Sequence, residues 1–126
     1  KYITRFSIRY DVNPDLVRAI IYAESKGKPF AVSRDGAQGL MQLMPVTANH
    51  MGIKNPLDPE ENIMAGVKYL AWLAKNGYHC DDSHLLWTWN AGPSMKGRKK
   101  IPRQTMKFIV EVISVKRFLE EDNSMI

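Results

Sequence analysis

The chain has 126 residues, of which 44% are apolar and 25% charged, and it carries a net charge of +5. That length and balance predict one globular domain, residues 1–126, with a real core. They exclude a low-complexity or repeat architecture, and the longest apolar runs are too short to span a bilayer. No signal-peptide pattern is present and the first residue is Lys1, so a mature form or a segment excised from a longer protein is expected.

Residues 1–10 read as a short helix with Ile3, Phe6 and Tyr10 on one side. Asn13-Pro14 then starts a second helix over about 14–26, because Asn caps free N–H groups and Pro fits the first turn. Leu16, Val17, Ile20, Ile21 and Ala23 follow at helical spacing. Glu24 stands seven residues after Val17, four after Ile20 and three after Ile21, so it shares their apolar face. Asp15, Arg18 and Lys26 take the solvated positions. A carboxyl on a buried face is desolvated, which raises its pKa above about 4.3 and suits a general acid. The competing reading is a rim glutamate that reaches water or pairs with Arg18 or Arg34.

From Gly27 to Gly39 the composition is that of turns and loops, with Pro29, Ser33, Arg34, Asp35 and Gly36. At most a small hairpin fits between 30 and 44. Gln42 is the one polar residue inside the apolar run Leu40–Met44; its amide must find partners in the protein or in a ligand. A short helix is expected over about 46–51, ending at Gly52, and a turn from Asn55 to Pro59. Asp58 and Glu61 form a capping box for a helix to about Asn76, with Gly77 as its stop. Its stripe is Ile63, Val67, Leu70, Ala71 and Leu73/Ala74, and Gly66 suits a close crossing against the second helix. Asp82 or Ser83 starts a helix through Leu85, Leu86 and Trp89 that ends at Gly92-Pro93. A basic loop follows over 94–101. Pro102 opens the last helix, with Phe108, Ile109, Val112, Ile113 and Leu119 as much of its core stripe. The class is mainly α.

Cys80 is the single cysteine and cannot form an intrachain disulfide. His84 stands four residues on, but two ligands fall short of the four that structural zinc takes, so no metal is assigned. Lys96, Arg98, Lys99, Lys100 and Arg103, with Trp87 and Trp89 nearby, have the composition of a single-strand nucleic-acid groove. No nucleic-acid motif accompanies them, and most such runs are solvated loops.

Three blocks, in order, carry a family resemblance. The first is Glu24-Ser25, then Ala31-Val32-Ser33-Arg34-Asp35-Gly36-Ala37, then Gly39-Leu40-Met41-Gln42-Leu43-Met44-Pro45. The second is Asn62-Ile63, Gly66 and Tyr69-Leu70. The third is Asn90-Ala91-Gly92-Pro93. Together they resemble the soluble lytic transglycosylases, lysozyme-like enzymes that cleave peptidoglycan. The resemblance implies a lysozyme-like α domain with at most a small β-hairpin near its cleft.

It also implies a mechanism. Ordinary glycosidases place two carboxylates across the scissile bond. Lytic transglycosylases use one acid, here Glu24, with the substrate's N-acetyl group in place of a protein nucleophile, and release 1,6-anhydromuramyl products with no metal or cofactor. Asp35 is the other nearby carboxylate, and its polar loop beside Arg34 reads as a solvated turn. By motif position Ser33 is expected to hydrogen-bond Glu24. Gln42 and Asn90 are expected to bind N-acetyl groups or orient the acid, and Met44 to pack on the glycan. Trp89 and Gln104 complete the expected substrate-binding set. One of Met41 and Met44 is expected to be core. Ser25 is read as support for the helix end.

Goose-type lysozymes share the fold but hydrolyse; they carry aspartates where this chain has Ser33 and Met44, which favours transglycosylation. The chain departs from the family pattern at Trp89, where Tyr is usual, at Gln104 for Glu, and at Phe108 for Tyr. These departures fit a specialised branch serving secretion, conjugation or flagellar assemblies. The expected setting is the bacterial envelope, facing the periplasm or wall, with a monomer acting on glycan strands. The basic rim then suits the carboxylates of stem peptides, and nucleic acid is not an expected partner. A hydrolytic lysozyme and a silent peptidoglycan-binding module remain the alternative readings.

Overall fold

The computed structural model describes residues 1–76, 81–92 and 102–124. Within them the chain forms α1 (Tyr2–Tyr10), α2 (Pro14–Ser25), α3 (Pro45–His50), α4 (Pro59–Lys75), α5 (Asp82–Ala91) and α6 (Arg103–Ser124). The mainly α expectation holds. Between α2 and α3 the only β features among the described residues are isolated antiparallel bridges, Val32 with Gln38 and Gln38 with Leu43. No described helix is long and apolar enough to cross a membrane. The stop at Gly77, Cys80 and the basic loop over 94–101 lie outside the described residues.

Local chemistry sets most helix ends. The Asn13 side chain accepts hydrogen bonds from the N–H groups of Asp15 and Leu16, and Pro14 takes the first position of α2. Lys26 closes that helix in the left-handed region at φ 56°. Ser25 is buried against the same end: its Oγ donates to the Ile21 carbonyl at 3.1 Å and accepts from the Gly27 N–H at 3.2 Å. Helix α5 starts at Asp82, as expected, and is capped by Asp81, whose carboxylate accepts from the His84 N–H at 2.8 Å.

At α4 the expected reciprocal capping box is only half formed. Asp58 accepts from the Glu61 N–H at 3.0 Å. Its own N–H is already taken by the Asn55 carbonyl at 3.1 Å. The Glu61 carboxylate therefore turns back to the preceding turn and accepts from Lys54 N–H at 3.0 Å and Asn55 N–H at 3.3 Å.

The core is built from the stripes of α2, α4, α5 and α6. Val17, Ile20, Val67, Leu73, Leu86 and Val112 are fully buried. Helix α1 packs on α4 and buries Phe6 in the core, and α2 and α5 both pack on α6. Ile3 and Tyr10 are partly buried against this core, as the spacing predicts.

The loop after α2 is fastened to α4 by one buried side chain. Asn62 has no exposed surface. Its Oδ1 accepts from the Met41 N–H at 2.8 Å, and its Nδ2 donates to the carbonyls of Gln38 at 2.9 Å and Pro56 at 2.7 Å. Two glycines make this approach possible. Gly39, at φ +80°, has no room for a Cβ, which would meet the Asn62 amide and the Pro56 carbonyl. Gly66 faces Met41, whose sulfur and terminal methyl fill the space a Cβ would need. The close approach predicted at Gly66 is thus made by the loop and not by the second helix: Met41 is fully buried between them.

Asn62→Ala should leave the Met41 N–H and two carbonyls without these partners, at a cost of about 3 kcal/mol. Urea denaturation of the variant should show the midpoint falling without a change in slope.

Candidate active site

Glu24 lies in the last turn of α2, partly buried. Its Oε2 accepts a hydrogen bond from the indole Nε1 of Trp89 on α5 at 3.1 Å. Burial pushes the Glu24 carboxyl from about 4.5 up to about 7, while the Trp89 hydrogen bond, which favours the carboxylate, pulls the other way. The ion pairs of the rim reading are not formed. Arg18 pairs with Asp15 at 3.0 Å, and no ion pair to Glu24 is formed among the described residues.

The carboxyl opens into a cleft of about 480 Å³. All of the sequence-predicted residues, Glu24, Ser33, Gln42, Met44, Trp89, Asn90 and Gln104, line it. They come from the end of α2, the loop before α3, the end of α5 and the start of α6, so only the tertiary fold assembles them.

Their detailed roles differ from one another. The expected Ser33–Glu24 hydrogen bond is not made among the described residues. Ser33 Oγ instead accepts from the Ala37 N–H at 2.9 Å, because its own loop is closed on itself by Ser33 N–H to Ala37 carbonyl at 2.8 Å. Trp89, where the family pattern has Tyr, supplies the donor that reaches Glu24. Its ring packs tilted on Tyr69 with centroids 5.5 Å apart, which makes it a wall of the cleft.

Gln42 adopts φ 50°, an uncommon conformation for a side-chain-bearing residue. Its Nε2 donates to the carbonyls of Ala31 at 3.0 Å and Gly39 at 2.9 Å, which holds the turn in place. Its Oε1 is left to accept from a ligand. Asn90 is arranged the opposite way: its Oδ1 accepts from the buried Thr105 hydroxyl on α6 at 2.7 Å, leaving its amide N–H groups to donate. The cleft therefore offers an acceptor and a donor from two anchored amides, the complement of an N-acetyl group's N–H and C=O. Met41 is core and Met44 lines the cleft, 44% exposed.

Four residues outside the expected site set matter to the geometry. Asp35 is exposed yet lines the cleft, and Tyr69 and Thr47 form its wall beside α3 and α4. Thr105 orients Asn90. For Thr105 the available signal was a hydroxyl beside the apolar stripe of α6; for Tyr69 and Thr47 no periodicity pointed to the cleft. Pro93 of the Asn90–Pro93 turn lies outside the described residues. Among the described lining residues the cleft carries two carboxyl groups and no cation.

The profile of the transglycosylase SLT domain matches residues 1–110. The membrane-bound lytic murein transglycosylase F 2 of Alkalilimnicola ehrlichii is 32% identical over 124 residues, covering 86% of this chain and 27% of that protein. The transglycosylase of Enterobacteria phage PRD1 is 45% identical over 64 residues, 51% of this chain and 24% of that protein. The 70 kDa soluble lytic transglycosylase of Escherichia coli superposes with a TM-score of 0.80 at 28% identity, over 91% of this chain and 23% of that one. This chain thus spans about a quarter of the length of these relatives. The agreement in fold carries the expected helical, lysozyme-like architecture, and the match over residues 1–110 makes the chain a member of the transglycosylase SLT domain family.

Proposed function

We propose that this chain is the catalytic domain of a lytic transglycosylase, which cleaves the β-1,4 bond between N-acetylmuramic acid and N-acetylglucosamine in peptidoglycan without water. The observation that carries this reading is the half-buried Glu24 carboxyl, raised to about 7, held by one donor in a cleft lined by anchored amides. A group with that pKa gives and takes a proton near neutrality, as a two-step reaction with a single acid requires.

In the first step Glu24 gives its proton to the glycosidic oxygen. The C1–O bond breaks as the muramyl N-acetyl oxygen closes on C1 to form an oxazolinium ring. In the second step the Glu24 carboxylate takes the proton of the muramyl 6-hydroxyl. That oxygen attacks C1, the ring reopens, and the 1,6-anhydro sugar leaves with Glu24 protonated again. Proton and electron bookkeeping closes with no co-reactant. Burial favours the acid form for the first step, and Trp89 stabilises the carboxylate that the second step needs. An indole N–H only donates. It therefore cannot accept the acidic proton, which favours Oε1 as the oxygen that carries it. Gln42 Oε1 and the Asn90 amide would hold N-acetyl groups, with Ser33, Met44 and Gln104 around the saccharide. The place of action is the bacterial cell envelope, on the side that faces the wall.

Hydrolysis is the rival reading, and Asp35 in the same cleft is the observation that favours it, as a second carboxylate that would activate water. Mass spectrometry of digested peptidoglycan separates the two: anhydro-muropeptides are lighter by one water than hydrolysed ones. Glu24→Gln should lower the yield of anhydro products by at least about a hundredfold. Asp35→Asn should change it by less than about threefold; reducing-end products from the parent that disappear in the Asp35 variant would establish hydrolysis. The rate should fall as pH rises through about 7, because Glu24 loses the proton that the first step uses. Trp89→Phe removes the donor that favours the carboxylate, so the falling limb of its pH–rate profile should move to higher pH.

A further inference from the structure

The cleft continues past Glu24. Thr47 and Tyr69 line it, and the same two residues line a second concavity of about 510 Å³ completed by Val46, His50, Met51 and Trp72. Three rings connect the two spaces. Trp89, bonded to Glu24, packs on Tyr69 at 5.5 Å; Tyr69 and Trp72, three residues apart on α4, lie nearly parallel at 13° with centroids 6.2 Å apart. Trp72 is 46% exposed and Val46 69% exposed. Indole and aliphatic surface thus remains in water on a face continuous with the catalytic cleft, which is the mark of a binding surface.

We propose that this concavity is a further saccharide subsite, in which an N-acetylhexosamine ring of the bound strand stacks on Trp72. The proposal rests on the glycan reading of the cleft. A pyranose presents an apolar C–H face to an aromatic ring and hydroxyls at its edge. Trp72 supplies the ring, and Thr47 and His50 supply hydrogen-bonding groups at the margin. The other candidate occupant is a stem peptide, which carries carboxylates. No Lys or Arg stands among the described lining residues to meet them, so the chemistry of the pocket matches the sugar. Its volume lies in the ordinary range for small-ligand sites.

The test uses Glu24→Gln, which holds substrate without turning it over, titrated calorimetrically with β-1,4-linked N-acetylglucosamine oligomers from two to six units. Affinity should rise with length. Adding Trp72→Ala should weaken the longest oligomer about tenfold and leave the shortest unchanged, and adding Trp72→Phe should retain most of the gain. Trp72 is exposed, so circular dichroism should show all three proteins equally folded. Equal affinities with and without Trp72 at every length would overturn the subsite, as would an equal loss at every length. A loss confined to peptide-bearing muropeptides would overturn it in favour of the stem peptide. If the parent binds no oligomer at all, the glycan reading of the cleft falls with it; if it binds oligomers but gains nothing from length, the subsite alone falls.

Discussion

The structure depends on the buried amide of Asn62. An α domain of this size has little rigid scaffold outside its helices, yet the cleft is walled by a loop. Asn62 resolves that by tying the loop backbone at Met41 and Gln38, and the turn before α4 at the Pro56 carbonyl, to one buried amide. Because it has no exposure to water, each bond is worth keeping and costly to lose. Gly39 and Gly66 allow the approach, and Met41 fills the gap between loop and α4. Gln42 can then hold a left-handed conformation without the turn relaxing, since its own amide ties Ala31 to Gly39.

The acid is set by a balance of opposing effects at one carboxyl. Burial alone would favour the neutral form; a donor alone would favour the ion. Glu24 has both, with burial the larger, and the outcome near 7 places it between the two protonation states a single acid–base group must visit. Trp89, where the family pattern has Tyr, gives the carboxyl an N–H that donates and cannot accept, and it joins Glu24 to the ring series Trp89–Tyr69–Trp72. Chemistry and substrate contact therefore share a side chain.

Much of the fold is legible in the sequence. Pro14 after Asn13, Asp58 before Pro59, and the stripes of α2, α4 and α6 all rest on interactions within a turn or two of helix, which sequence spacing reports directly. The same spacing puts Glu24 on the apolar face, and the family resemblance names most of the residues of the cleft. The structure departs from that reading at both short and long range: Ser33 Oγ accepts from Ala37 within its own loop, Glu61 reaches back to the turn before α4 instead of closing the box on Asp58, and Gly66 meets Met41 instead of the second helix.

The division follows the range of the forces. By itself the sequence determined the helices, most of their caps, the burial of Glu24 and the residue types available to a saccharide, because periodicity and capping are local. Only the tertiary structure decided which donor meets the acid, since Trp89 lies 65 residues from Glu24 and reaches it through the packing of α2 and α5 on α6. It alone decided that Asn62 faces the loop, which end of each amide is free, and that Tyr69 and Trp72 carry the cleft onto α4. Those choices are made by helix packing, which brings distant groups to within hydrogen-bonding distance and leaves no periodic trace in the chain.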